Sequence, residues 1–144
     1  MNRRDHFPHP DAGFLVVHQL TVRDCARSRD FYRDVLGGVV VMDSPSFSLV
    51  QLANGWVALG RAAAAVSDQP GLDVQPPADP SRLDSFMNLR VADIAACYEE
   101  WRAKGAEFLT PPIDRGGEIR CYMRDPDGYL IEVGQSTGLL AGLE

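Results

Sequence analysis

No stretch of this sequence is long and apolar enough to span a bilayer as a helix, since runs such as Gly38–Met42 have strand length and are broken by polar residues. Residues Met1–His6 carry some positive charge with no apolar core behind them. A secretory leader is therefore not expected, and the cytoplasm is the expected compartment. Paired cysteines are missing as well. Cys25, Cys97 and Cys121 form an odd set without CxxC spacing, which argues against a disulfide framework or a zinc knuckle. They read instead as small buried hydrophobes. Nor is there a Lys/Arg cluster of the kind that tracks phosphates, and the net charge is −6. Neither nucleic acid nor membrane is an expected partner. The mild acidic surplus serves solubility and would suit a cationic ligand.

What is present is ordinary globular material. A hydrophobic share of 45% with 24% charged residues over 144 positions suits one compact domain or two small fused modules. Residues 1–13 read as a flexible N-terminal tail. Phe14–Val22 has the pattern of a half-buried strand. Asp24 can cap a helix through Leu36 that carries Phe31, Tyr32 and Val35 on one face and ends at Gly37-Gly38. Strands are expected at Val39–Met42, Phe47–Leu52 and Trp56–Gly60, with Asn54-Gly55 as the hairpin signal. A connection follows over residues 62–83, and then the pattern restarts. Ser85–Val91 is strand-like, and Asp93 caps a helix with Ile94, Cys97, Tyr98 and Trp101 on one face, ended by Gly105. Glu107–Leu109, Glu118–Met123 and Tyr129–Val133 supply three more strands, and Asp125-Pro126-Asp127-Gly128 is a tight turn. The chain thus reads β-α-β-β-β twice, over residues 14–61 and 84–135, with a C-terminal tail at 136–144. The two halves echo in sequence: Leu20-Thr21-Val22-Arg23-Asp24 aligns with Leu89-Arg90-Val91-Ala92-Asp93. The expected fold is α+β, two βαβββ modules whose sheets pair into a half-open mixed-sheet barrel around a cavity.

Val22–Gly37, with its Ser-x-x-Phe-Tyr…Leu-Gly portion, is similar to the first strand–helix unit of the vicinal-oxygen-chelate superfamily, which holds glyoxalases, bleomycin-resistance proteins and extradiol dioxygenases. Lys104-Gly105-Ala106-Glu107-Phe108 and Asp125–Glu132 resemble its closing pattern, and the likeness runs from Phe14 to Gln135. Members include lyases, isomerases, dioxygenases, thiol transferases and drug-sequestering proteins, so the resemblance implies a fold and not one reaction. It also implies a homodimer.

Metal-using members hold Zn, Ni, Mn or Fe with His, Glu or Gln from four strands. By that resemblance Glu132 stands at one ligand position, whereas Val17, Leu59 and Phe86 stand at the other three. His18 lies one residue from the expected place, and a one-residue slip exchanges the faces of a strand. By alternation Val17, Gln19 and Thr21 face the cavity, while His18, Leu20 and Val22 face the helix. Two ligands, His18 and Glu132, would hold a divalent ion only loosely. No cofactor is therefore expected, with a divalent metal on His18 and Glu132 as the alternative.

Without a metal, chemistry falls to polar groups on the cavity side. Gln19, Leu59, Phe86, Asn88, Arg90, Glu118 and Tyr122 are the expected ligand-binding residues, with Glu132 and Arg120 as the catalytic candidates. An arginine can hold a carboxylate or enolate oxygen, and Glu132 or Glu118 can act as a general base if desolvation raises its pKa. An Arg–Glu network that merely supports the sheets is the competing reading. The expected function is binding of a small organic molecule, by sequestration or metal-independent acid–base chemistry. The alternative is a metal-dependent lyase, isomerase or dioxygenase.

Overall fold

The computed structural model describes residues 7–62 and 71–138. Residues 1–78 and 79–144 form two compact units, and each repeats the same local architecture.

In the first unit β1 (Val17–Val22) leads into α1 (Cys25–Asp30). The Asp24 side chain caps α1 by accepting from the Arg27 backbone N–H at 3.1 Å. The expected helix does not stay α throughout, because Phe31–Val35 winds on as a π-helical segment. Gly37 then ends it at φ +78°, the left-handed conformation that glycine adopts without penalty. β2 (Val39–Asp43), β3 (Phe47–Leu52) and β4 (Gly55–Arg61) follow, and the sheet order is β1-β4-β3-β2, with β1 parallel to β4. β1 starts three residues later than expected: Val17 pairs with Trp56, and in that register Phe14 and Leu15 fall opposite the Ala53-Asn54 turn. Phe14 is accordingly 86% exposed. The turn itself sits one residue earlier than the Asn54-Gly55 signal suggests. Leu52 pairs with Gly55, and Ala53 takes the positive φ of 52°.

The second unit runs β5 (Met87–Arg90), α2 (Ile94–Ala103), β6 (Glu107–Phe108), β7 (Ile113–Asp114), β8 (Glu118–Arg124) and β9 (Leu130–Ser136). Asp93 caps α2 by accepting from the Ala96 N–H at 3.0 Å, and Gly105 closes it at φ +98°. The order β5-β9-β8-β6, with β7 also on β8, reproduces the first unit with its outer strand split in two. Pro111-Pro112 explains the split, because proline has no N–H for the ladder. β9 runs past Val133 through Gly134 to Ser136, where the alternating pattern had lapsed. Asp125 Oδ1 accepts from the N–H groups of Asp127 and Tyr129, both at 2.9 Å, and Gly128 supplies φ +91° to complete the β8–β9 turn.

Each unit has one helix-covered sheet face. In the first unit this face carries Leu20, Val22, Val50, Val57 and Leu59, all buried. Gly38 approaches the Val50 side chain and the Tyr32 carbonyl so closely that a Cβ has no room there. In the second unit, Ile94 N–H donates to Gln135 Oε1 at 2.8 Å, and Tyr98 meets Phe108 edge-on with centroids 4.7 Å apart. Burial pushes the Cys121 thiol up to about 11, so it stays protonated and inert near neutrality. Among the described residues, no helix is long and apolar enough to cross a membrane. The expected C-terminal tail beyond Gly138 lies outside the described residues.

Candidate functional site

Register decides which side chains share the second unit's other face. β5 pairs Asn88 with Glu132 and Arg90 with Gly134, and β8 pairs Tyr122 with Glu132 and Arg120 with Gly134. Side chains opposite one another point to the same side of a sheet. Asn88, Glu132 and Tyr122 therefore form one row across three strands, and Arg90, Gly134 and Arg120 form the next. Glu118 and Arg124 lie on the same face of β8 by alternation. Six of the residues expected from sequence are thus brought together: Asn88, Arg90, Glu118, Arg120, Tyr122 and Glu132.

The electrostatics of this face are uneven. Arg90 Nη1 reaches Glu118 Oε2 at 2.6 Å by crossing β9 at Gly134, where any side chain would collide with the guanidinium. Arg120 Nη1 donates to Glu118 Oε1 at 3.3 Å. These two arginines, Arg90 first, hold the Glu118 carboxyl below the ordinary carboxylate range against the opposing pull of desolvation. The expectation of Glu118 as a general base is corrected accordingly: an acid held ionised by two cations is a weak proton acceptor. Arg124 Nη1 donates to the carbonyls of Pro80 at 2.8 Å and Gly128 at 3.1 Å. Glu132 differs from all of these. It is 6% exposed and bonds to no other described residue, and since no buried side-chain oxygen among the described residues lacks a partner, its carboxylate still reaches solvent.

Other expected site residues lie elsewhere. Leu59 is fully buried beside Leu20 on the helix-covered face, whereas Gln19 pairs with Ala58 on the opposite face. Leu59 and Gln19 therefore do not line one surface. Phe86 precedes β5 and is 53% exposed, and the β5–β9 ladder starts one residue after it, with Met87 paired to Ile131. Gly134 was not anticipated. Its signal was available, because an isolated glycine in a strand marks a close approach of other groups.

A divalent ion fits these residues poorly. Glu132 has Asn88 and Tyr122 for same-face neighbours, neither an ordinary ligand when neutral. His18 is exposed and pairs with Val57, on the face that carries Leu20 and Leu59. Among the described residues, no three or more His, Cys, Asp or Glu side chains group together as a metal site.

The family model for the Glyoxalase/Bleomycin resistance protein/Dioxygenase superfamily matches residues 14–133. The chain belongs to that superfamily. Solved structures agree on the glyoxalase-like fold. A glyoxalase/bleomycin resistance protein/dioxygenase from Nocardioides is 23% identical, with 89% of this chain and 86% of that one covered and a TM-score of 0.71. An integron cassette protein from the mobile metagenome of V. cholerae is 20% identical over 88% of this chain and 98% of its own, with a TM-score of 0.66. TnmS3, an antibiotic binding protein from Streptomyces sp. CB03234, is 18% identical over 90% of this chain and all of its own (100%), with a TM-score of 0.62. At such identities the likeness to these structures shows fold alone. No curated protein matches the chain.

Proposed function

We propose that this superfamily member binds a small organic molecule on the helix-free face of its second unit, without a conventional metal centre. The observation that carries the reading is the row Asn88–Glu132–Tyr122, with a carboxylate that no neighbouring side chain pairs, set beside the Arg90–Glu118–Arg120 network. Such a face offers an aromatic wall and a few fixed polar groups, which is how small molecules are oriented. Glu132 is the acceptor or general base in this reading, and Arg120 turns its remaining N–H groups toward a ligand oxygen. The ion pair with Glu118 holds Arg90 in place. The antibiotic-binding description of TnmS3 supports a sequestering role, which the same face would serve without any bond being broken. A homodimer and a cytoplasmic setting are part of the proposal.

A thermal-shift screen of metabolites and antibiotics, paired with elemental analysis, tests this. A ligand at a hundred times its Kd adds about 2.7 kcal/mol of stability, a rise of several degrees in Tm. That gain should vanish in Glu132→Gln. Stoichiometric Ni, Zn, Mn or Fe in the purified protein, lost on the same substitution, would overturn the metal-free reading in favour of a metal-dependent lyase, isomerase or dioxygenase.

A further inference from the structure

The helix-free face of the first unit differs from that of the second in carrying no charge across β1, β4 and β3. Its rows are Val17–Trp56–Gln51, Gln19–Ala58–Leu49 and Thr21–Gly60–Phe47, and none of these side chains is ionisable. At one end of the face the Phe47 ring already has an aromatic neighbour. Phe7, from the segment that precedes β1, lies against it with centroids 5.5 Å apart and planes tilted by 35°. That contact is loosely held. Phe7 stays 51% exposed, Asp11, Ala12 and Gly13 are exposed, and no described residue hydrogen-bonds to residues 7–13. Beside Phe47 stands one fixed polar group. The Gln19 side chain crosses β4 at Gly60, the cross-strand partner of Phe47, where a Cβ has no room beneath its Nε2. The Gln19 amide is exposed and bonds to no other described residue.

We propose that Phe47 and Gln19 form a second binding site, for a flat neutral aromatic molecule with one hydrogen-bonding oxygen, and that Phe7 occupies it until such a molecule displaces the ring. Aromatic rings pair in offset or tilted geometry, so a ligand ring can take the place of Phe7. A primary amide offers two donors and an acceptor, so a ligand hydroxyl or carbonyl finds a partner beside the Phe47 ring. A charged ligand would lose hydration with no counter-ion in these rows to replace it. A ring that buries only about half its area, on a segment without hydrogen bonds to order it, is held weakly enough to yield to a free ligand. The site uses none of the second unit's charged residues, and its failure would leave the small-molecule reading of that unit standing.

The test titrates 2-naphthol, cyclohexanol and naphthalene-2-sulfonate into the protein, with affinities from calorimetry and NMR mapping of the phenylalanine rings. 2-Naphthol should bind tightest and shift the Phe47 signals, while the Phe7 signals move toward those of a free chain. Phe7→Ala should tighten 2-naphthol roughly fivefold, because the Phe47 ring is then always open. Phe47→Ala should weaken it by about tenfold or more. If that variant is poorly folded, Gln19→Ala, at an exposed side chain, replaces it, with a weakening of several-fold expected. Unchanged or weaker 2-naphthol binding in Phe7→Ala would make that ring part of the wall and sink the displacement. Cyclohexanol or the sulfonate binding as tightly as 2-naphthol, with the same shift at Phe47, would sink the neutral aromatic class. No binding of 2-naphthol, or binding that leaves the Phe47 signals in place, would overturn the site.

Discussion

The two units place the same strands in the same order and then fill equivalent positions with different chemistry. The sequence echo that aligns Thr21 with Arg90 also aligns Gln19 with Asn88. Through the ladders it makes Ala58 the counterpart of Glu132, and Leu49 the counterpart of Tyr122. The row Gln19–Ala58–Leu49 thus repeats Asn88–Glu132–Tyr122 with a methyl group for the carboxylate and an aliphatic chain for the phenol. One row further on, Thr21–Gly60–Phe47 stands where the second unit has Arg90–Gly134–Arg120. Both glycines are crossed by a polar side chain, Gln19 at Gly60 and Arg90 at Gly134. The backbone solution was kept while the charge was confined to one copy, so topology and site chemistry vary independently here.

The comparison can be broken most severely at Leu59. Leu59→Glu would supply the acidic residue that the family resemblance asks for, but it would bury a charge beneath α1 beside Leu20. A loss of about 4 kcal/mol or more in urea unfolding is expected, with no metal gained on elemental analysis. A smaller effect separates the two hairpins. Gly128→Ala forces a side chain into φ +91° against Pro80 and should cost about 1–2 kcal/mol. Ala53→Gly relieves φ 52° and should gain roughly 1 kcal/mol, so the paired variants should move Tm in opposite directions.

The smallest effect concerns the charged row. The depressed Glu118 pKa adds stability that is present above its ordinary value of 4.5 and is lost as the pH falls through the lower, folded-state value. The Arg90–Glu118 pair is partly exposed, so its contribution is expected to stay below about 1 kcal/mol. Gly134→Ala would push Arg90 off its crossing. An NMR titration of the Glu118 carboxyl should then show its pKa rising back toward the ordinary value, with a shallower acid limb in the stability profile.

Much of the fold was legible in sequence because its signals are local. Asp24 and Asp93 announce their helices through caps, and Asp125–Gly128 announces its turn through one side chain and one positive φ. The errors fell where a partner strand decided the outcome. Phe14–Val16 and Phe86 have strand-like side chains but lie just outside the β1–β4 and β5–β9 ladders. The two residues of β7 are too few for a period to show. The site was legible only as a set of alternating residues on separate strands. Counting back from the Asp93 cap selected Phe86 and the family pattern selected Leu59, whereas the ladders place Asn88 beside Glu132 and Ala58 beside Gln19.

By itself the sequence determined the repeated strand–helix order, the caps and the tight turn after β8, since each depends on residue type and short-range spacing. Only the tertiary structure decided that Asn88, Glu132 and Tyr122 stand in one row, that Gly134 lets Arg90 reach Glu118, and that Leu59 lies beneath the helix. The reason is physical. Strand register is set by pairing between distant segments, and a shift of one residue sends every side chain to the opposite face.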